Sequence, residues 1–165
     1  TELRCEPAAT YNRPEVADHP INCVDWSQAT AYCEDQGARL PTEAEWMWAA
    51  RNGERATKQP WGNDAASDTN VCFSSSATPR TETCPIATFP PTALGLFDIG
   101  GNVSEWTSTP FVADFRPMPG ERLIVTPGGG FGYGAASVGI IPHQFSDASV
   151  HANVLGIRCA RDTAE

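Results

Sequence analysis

Six cysteines, Cys5, Cys23, Cys33, Cys72, Cys84 and Cys159, constrain this chain more than any other feature. They form an even set without a C-x-x-C pair, which speaks against a zinc knuckle or a thioredoxin-type site and for three disulfides made in an oxidising compartment. Six buried thiols in a cytosolic protein is the alternative. A single lysine, Lys58, and the polar loops flanking the cysteines favour export, so an extracellular, cell-surface or periplasmic location is expected. The chain begins at Thr1 without a methionine or signal segment and reads as a processed or excised piece.

The rest of the composition narrows the class. With 165 residues, 41% of them hydrophobic, the chain suits one compact domain with its own core. Fourteen Gly, fourteen Pro and five Trp against 19% charged residues describe a loop-rich body pinned by aromatic anchors, not a helical bundle. A formal charge of -9 repels phosphate backbones and anionic lipid, which sets nucleic acid aside as a partner. No apolar run approaches the roughly 20 residues that cross a bilayer, so no membrane span is expected.

Residues 1–19 alternate proline, charge and small side chains without a period and read as an irregular lead-in arm tied down by Cys5. From Asp25 the pattern becomes helical: Trp26, Ala29, Tyr32 and Cys33 recur at helical spacing, Asp25 and Gln28 stand in capping-box register, and Gly37 marks the stop. Thr42 and Glu45 repeat that spacing ahead of a second helix with Trp46, Ala49 and Ala50 on one face and Gly53 beyond it. The long polar stretch that follows needs a Cys72–Cys84 staple and an inward-packed Trp61 to hold its shape. The runs "ERLIVTP" and "NVLGIRCAR" predict strands. No repeat or composition shift divides residues 20–162, which form one domain followed by a tail at 163–165.

Several common sites are missing. There is no G-x-S-x-G elbow, Walker loop or H-E-x-x-H, and His19, His143 and His151 share no ligand spacing. The stretch "GLFDIGGNVSEW" is richer. If residues 101–105 run extended, the Gly101 and Val103 carbonyls and the Glu105 side chain project to one side, and Asp98 folds back towards them. Such hard oxygens suit calcium, which tolerates irregular six-to-eight coordination. The competing reading is a plain turn, with Asp98 capping it, Asn102 left-handed and Glu105 solvated.

The blocks "VDWSQATAYCEDQGARLPTEAEWMWAAR", "PWGN", "GLFDIGGNVSEWTS", "PGGGF" and "GIRCARD" occur in the order and spacing of the formylglycine-generating enzyme, or sulfatase-modifying factor, family, which the chain resembles from about Pro20 to Asp162. The resemblance implies an α+β fold, a loop-rich, disulfide-stapled variant of the C-type lectin fold with two main helices, short antiparallel strands and an abbreviated amino-terminal portion. It implies a calcium loop with ligands at Asp98, Gly101, Val103 and Glu105, and a Cys33–Cys159 disulfide, which leaves Cys5 with Cys23 by elimination. A second family calcium site, needing an acid around Thr78, is not expected.

The family's catalytic part carries over badly. Active members hold copper through two cysteines after the block matching "PGGGF", and those positions fall here at Tyr133 and Val138, neither of which can be a thiolate. No copper is expected. The leading reading is a non-catalytic, exported binding or assembly module with structural calcium, taking a protein partner, a second copy of itself or a glycan. Within residues 128–145, Phe131, Tyr133, His143 and Phe145 are the candidate contact surface, unless the glycines there serve tight backbone packing alone. The alternatives are a metal-dependent oxidative or amine-modifying enzyme of the same fold, and a ligand-binding protein with a diversified carboxy-terminal loop.

Overall fold

The computed structural model describes Cys5 and residues 9–112, 120–141 and 144–162. Helix α1 (Trp26–Asp35) starts where the capping chemistry predicts: Asp25 Oδ1 accepts from Gln28 N–H at 2.7 Å, and Gln28 Oε1 accepts from Asp25 N–H at 3.0 Å. These reciprocal bonds satisfy donors that the first turn leaves open. Ala29 and Cys33 face the core, and Trp26 is anchored by its indole N–H to Thr107 O at 2.9 Å. Tyr32, expected on the same stripe, is exposed; the buried face is narrow and passes between Ala29 and Cys33.

Helix α2 (Glu43–Ala50) repeats the device with Thr42 and Glu45 and buries Trp46 and Ala50. Left-handed Asn52 and Gly53 then turn the chain away. Arg39, between the helices, binds Glu45 through two hydrogen bonds of 2.7 and 2.8 Å and reaches Asp162 at 2.6 Å. The start of α2 is thereby tied to the end of the described chain.

Regular strand is sparse. Strand β1 (Ser104–Glu105) pairs with β4 (Leu155–Gly156), and β2 (Leu123–Val125) pairs with β3 (Phe145–Asp147). Only the second pair is antiparallel; β1 and β4 run parallel, with Ser104 opposite Leu155 and Glu105 opposite Gly156. That corrects the expectation of antiparallel strands throughout. The long excursion between Glu105 and Leu155 supplies the crossover a parallel pair requires. Both predicted strands occur, though "NVLGIRCAR" is ladder only at Leu155–Gly156 before it bridges Arg39 at Ala160.

The main core packs α1 residues Ala29 and Cys33 against Leu40, Trp106, Ile124 and Leu155. Disulfides join Cys33 to Cys159, Cys72 to Cys84 and Cys5 to Cys23. The first closes a separation of 126 residues, worth about 5 kcal/mol in the chain-entropy account. The long loop is held as its sequence demands: Cys72 and Cys84 are buried with Phe89 and Phe131, and Trp61 packs on a second cluster of Val71, Phe73 and Val138. The lead-in belongs to the same body, since Ala9 and Val16 are buried and Thr10 N–H donates to Asn22 Oδ1 at 2.8 Å. Residues 1–4, 6–8 and the tail at 163–165 lie outside the described residues.

Candidate functional site

The "GLFDIGGNVSEW" segment is bent by left-handed residues at Asp98, Gly101 and Asn102, so it is not extended from 101 to 105 as expected. Glycine is required at 101: a Cβ there would lie 2.4 Å from Val71 and 2.5 Å from Cys72 O. Asn102 is a hub. Its N–H donates to Cys72 O at 2.8 Å, its amide side chain exchanges hydrogen bonds with Cys84 N–H and C=O at 3.0 and 3.1 Å, and its carbonyl accepts from Phe131 N–H at 2.7 Å. The turn therefore fastens the Cys72–Cys84 loop and the Gly-rich loop to β1.

Glu105 is 3% exposed, which overturns the solvated alternative. A buried carboxylate needs donors and a counter-charge. Trp46 Nε1–H from α2 donates to Oε2 at 2.7 Å. Arg158, just beyond β4, donates from Nε to both oxygens at 2.9 and 3.0 Å and from Nη2 to Oε1 at 2.7 Å. A second bond from Nη2 reaches Phe97 O at 2.9 Å. Burial disfavours the Arg158 charge, but Glu105 and then Asp98 more than offset it, and its pKa is raised. Asp98 is in the opposite position: burial pushes its carboxyl up, against the lowering effects of the Ala87 N–H, donating at 2.7 Å, and of Arg158.

Asp98, Val103, Glu105 and Arg158 line one hollow of about 400 Å³, rimmed by Ile86 and Phe97; Gly101 is not among its lining residues and lies against Val71 and Cys72. Of the two expected carboxylate ligands of calcium only Asp98, half-buried with its carboxyl pushed up by burial, keeps an oxygen free of a charged partner's hydrogen bond. The Glu105 side chain does not fit as it stands, because both oxygens are already taken by Arg158 and Trp46. Those two partners escaped the sequence reading. Their blocks were conspicuous, but nothing local to them points at position 105.

At the two positions where the resemblance leads one to expect copper cysteines, Val138 is buried with Val71 and Phe73, and Tyr133 is 40% exposed on a stretch, 132–137, that faces solvent throughout. All six cysteines are paired, so none is a free thiol. Among the described residues no three His, Cys, Asp or Glu side chains converge as a metal-ligand group.

The candidate contact surface is only partly assembled. Phe131 is 3% exposed and packs on Cys72, Cys84 and Phe89, so it is a core residue and not a contact. Its backbone is drawn inward by Asn102, and two residues earlier the loop packs so closely that at Gly129 a Cβ would lie 2.1 Å from Ser137 O. Tight packing is thus part of what the Gly-rich block does. His143 lies outside the described residues. Tyr133 and Phe145, the latter 37% exposed and stacked on Phe111 at 4.1 Å, line one cavity of about 380 Å³. A larger apolar hollow of about 530 Å³, unforeseen in the sequence, runs along α2 between Trp46, Trp48, Leu96 and Ile99.

A loop-dominated α+β domain with two capped helices, three disulfides and a buried Glu–Arg–Trp centre defines the class of protein. Residues 4–163 match the sulfatase-modifying factor enzyme 1-like domain, and the chain belongs to that family. It is 34% identical over 161 residues to the inactive C-alpha-formylglycine-generating enzyme 2 of Bos taurus, covering 88% of this chain and 51% of that protein. It is 33% identical over 141 residues to the formylglycine-generating enzyme of Thermomonospora curvata, covering 74% and 46%. The chain thus spans about half the length of these relatives. The crystal structure of CarF shares the fold, with a TM-score of 0.69 at 22% identity over 89% of this chain and 69% of that one. Among the described residues no helix is long and apolar enough to cross a membrane.

Proposed function

We propose that this domain is a non-catalytic binding or assembly module on the formylglycine-generating-enzyme scaffold. The observation that carries the reading is the loss of sulfur from the catalytic positions: Tyr133 and Val138 stand where the family's copper ligands fall, and every cysteine is in a disulfide. A disulfide sulfur is a poor ligand for Cu(I), and hard oxygen donors do not replace thiolate. Similarity to a relative named inactive supports the same conclusion. The three disulfides support an exported location.

The module offers Tyr133 and Phe145 to a partner. Structural calcium at the Asp98 loop, held by the Asp98 carboxylate with backbone carbonyls of the turn, would firm the turn from which Asn102 ties the neighbouring loops together. In this reading the Glu105 carboxylate stays with Arg158 and Trp46 and is not a ligand. The lectin-type ancestry of the fold belongs to the same proposal and rests on the resemblance of its motifs. The test is twofold. The protein, supplied with Cu(I), oxygen and a sulfatase-type cysteine peptide, should neither bind copper tightly nor convert the peptide; oxygen-dependent mass loss on the peptide would establish an enzyme instead. A partner captured by the wild-type protein should be lost with Tyr133→Ala plus Phe145→Ala, and a partner retained by that variant would refute the assigned surface.

A further inference from the structure

We infer that the cavity beside Tyr133 and Phe145 takes a neutral saccharide, a proposal that rests on the reading of this face as the binding surface. Strand β1 alternates its side chains: Glu105 and Val103 line the charged hollow, while Ser104, between them, lines this cavity. Beside Ser104 are Thr126 and Ser146, cross-strand neighbours whose hydroxyls stand 3.2 Å apart, and Gln144, whose amide donates to Ser137 O at 3.2 Å. Aliphatic side chains from the segment ending in β4 form the remaining wall, and the Tyr133 and Phe145 rings stand at the exposed rim.

The lining excludes most ligand classes. Among its described lining residues there is no carboxylate, ammonium, guanidinium or imidazole group. A cation entering it would lose water without gaining a counter-charge, and an anion would also meet the field of a chain with a formal charge of -9. A purely apolar ligand would leave the Gln144 amide oxygen, which is buried without a hydrogen-bond partner among the described residues, unanswered, and would cover the Ser104 and Ser146 hydroxyls while returning no hydrogen bond. What remains is a neutral molecule that carries hydrogen-bonding groups around an edge and presents an apolar face. A pyranose ring has that form: hydroxyls radiate from it, and its C–H face can lie on an aromatic ring. The volume of about 380 Å³ falls within the range of small-ligand sites and suits one or two sugar rings.

The hydroxyl groups on the cavity floor also predict the character of binding. Because no ion pair is involved, affinity should be indifferent to salt, unlike steered binding between charged partners. The probes are the methyl glycosides of glucose, galactose, mannose and N-acetylglucosamine, titrated into the isotope-labelled 165-residue chain, alongside an array of neutral, sialylated and sulfated oligosaccharides. At least one neutral glycoside should shift the amide resonances of Ser104, Thr126 and Ser146, with equal affinity at low and high salt. Thr126→Val, which keeps the shape and the backbone bond of residue 126 to Gln144, and Tyr133→Ala should each weaken that binding at least tenfold while the melting temperature holds. Preference for sialylated or sulfated chains, binding unchanged by Thr126→Val, or silence of all four glycosides and the array would overturn the proposal. A protein or peptide partner that is lost with Tyr133→Ala despite such silence would leave the binding surface correct and the saccharide wrong.

Discussion

Replacing Arg158 with methionine would strand the Glu105 carboxylate in the interior with one donor, Trp46 Nε1–H, and no nearby guanidinium. Methionine keeps the length and apolar stem of the side chain, so the change isolates charge from volume. Removing one partner of a buried ion pair costs about 3–5 kcal/mol, because the surviving charge is uncompensated. For a domain of this size each kcal/mol moves the melting temperature by about 2–4 °C, so the loss should be roughly 6–20 °C. Adding Glu105→Gln to Arg158→Met should recover much of it, since the amide oxygen still accepts from Trp46 while the stranded charge disappears. The assay is thermal unfolding followed by near-ultraviolet circular dichroism with the disulfides intact. A loss within about 1 kcal/mol for Arg158→Met, or no recovery in the double variant, would refute the account of this centre. Running the series with and without calcium sharpens it. If Arg158→Met is harmless only when calcium is present, the ion and the arginine are alternative counter-charges for Glu105.

The remaining expectations are smaller or simpler to read. Chelation should lower the melting temperature; calcium at a hundredfold excess over its dissociation constant stabilises by about 2.7 kcal/mol, and magnesium should rescue poorly. Silence in chelator together with a silent Asp98→Ala would return the segment to an ordinary turn. Glu45 is held by Arg39 and the Thr42 N–H at a pKa of about 2, below its ordinary 4.5, so its stabilising effect is complete above that value and fades as pH falls from about 4.5 to about 2. As the pair is exposed, the effect should stay below about 1 kcal/mol, shrink with salt and vanish in Glu45→Gln, as acid-range melting curves would record. Converting Cys33 and Cys159 together to serine should destabilise by up to about 5 kcal/mol, about 2 kcal/mol more than the same change at Cys72 and Cys84, whose separation is only 12 residues; equal losses would count against the loop-closure account.

What could be read in advance was whatever the chain decides locally or by motif. Two capping boxes act across three residues, so both helix starts were legible from Asp25 and Thr42. The cysteine pairing was legible from the family spacing and the need of the long loop for a staple. The buried centre was not, since Glu105 meets Trp46 and Arg158 across 59 and 53 residues and no local pattern joins them. The turn from Asp98 to Glu105 was half legible. The residue pattern suits an extended chain, whereas consecutive left-handed residues at Gly101 and Asn102 break the alternation and turn Gly101 towards Cys72. Phe131 departs from expectation for a related reason: an aromatic among glycines suggests a contact patch, whereas the distant partners Asn102, Cys72 and Cys84 draw it inward.

The hub residue has a consequence for how this chain can be made. Asn102, Val103 and Ser104 spell an N-x-S acceptor for oligosaccharide transfer, a modification that belongs on exposed loops. Here the acceptor amide is buried, and its oxygen and nitrogen are engaged with the Cys84 backbone. A glycan attached during synthesis could not be housed in the folded protein, and would cut the link between the Cys72–Cys84 loop and β1 before either had formed. Production in a secretory route that modifies nascent chains should therefore divide the protein into an unmodified folded fraction and a glycosylated misfolded one, a division that intact-mass measurement would expose and that a bacterial periplasm would avoid.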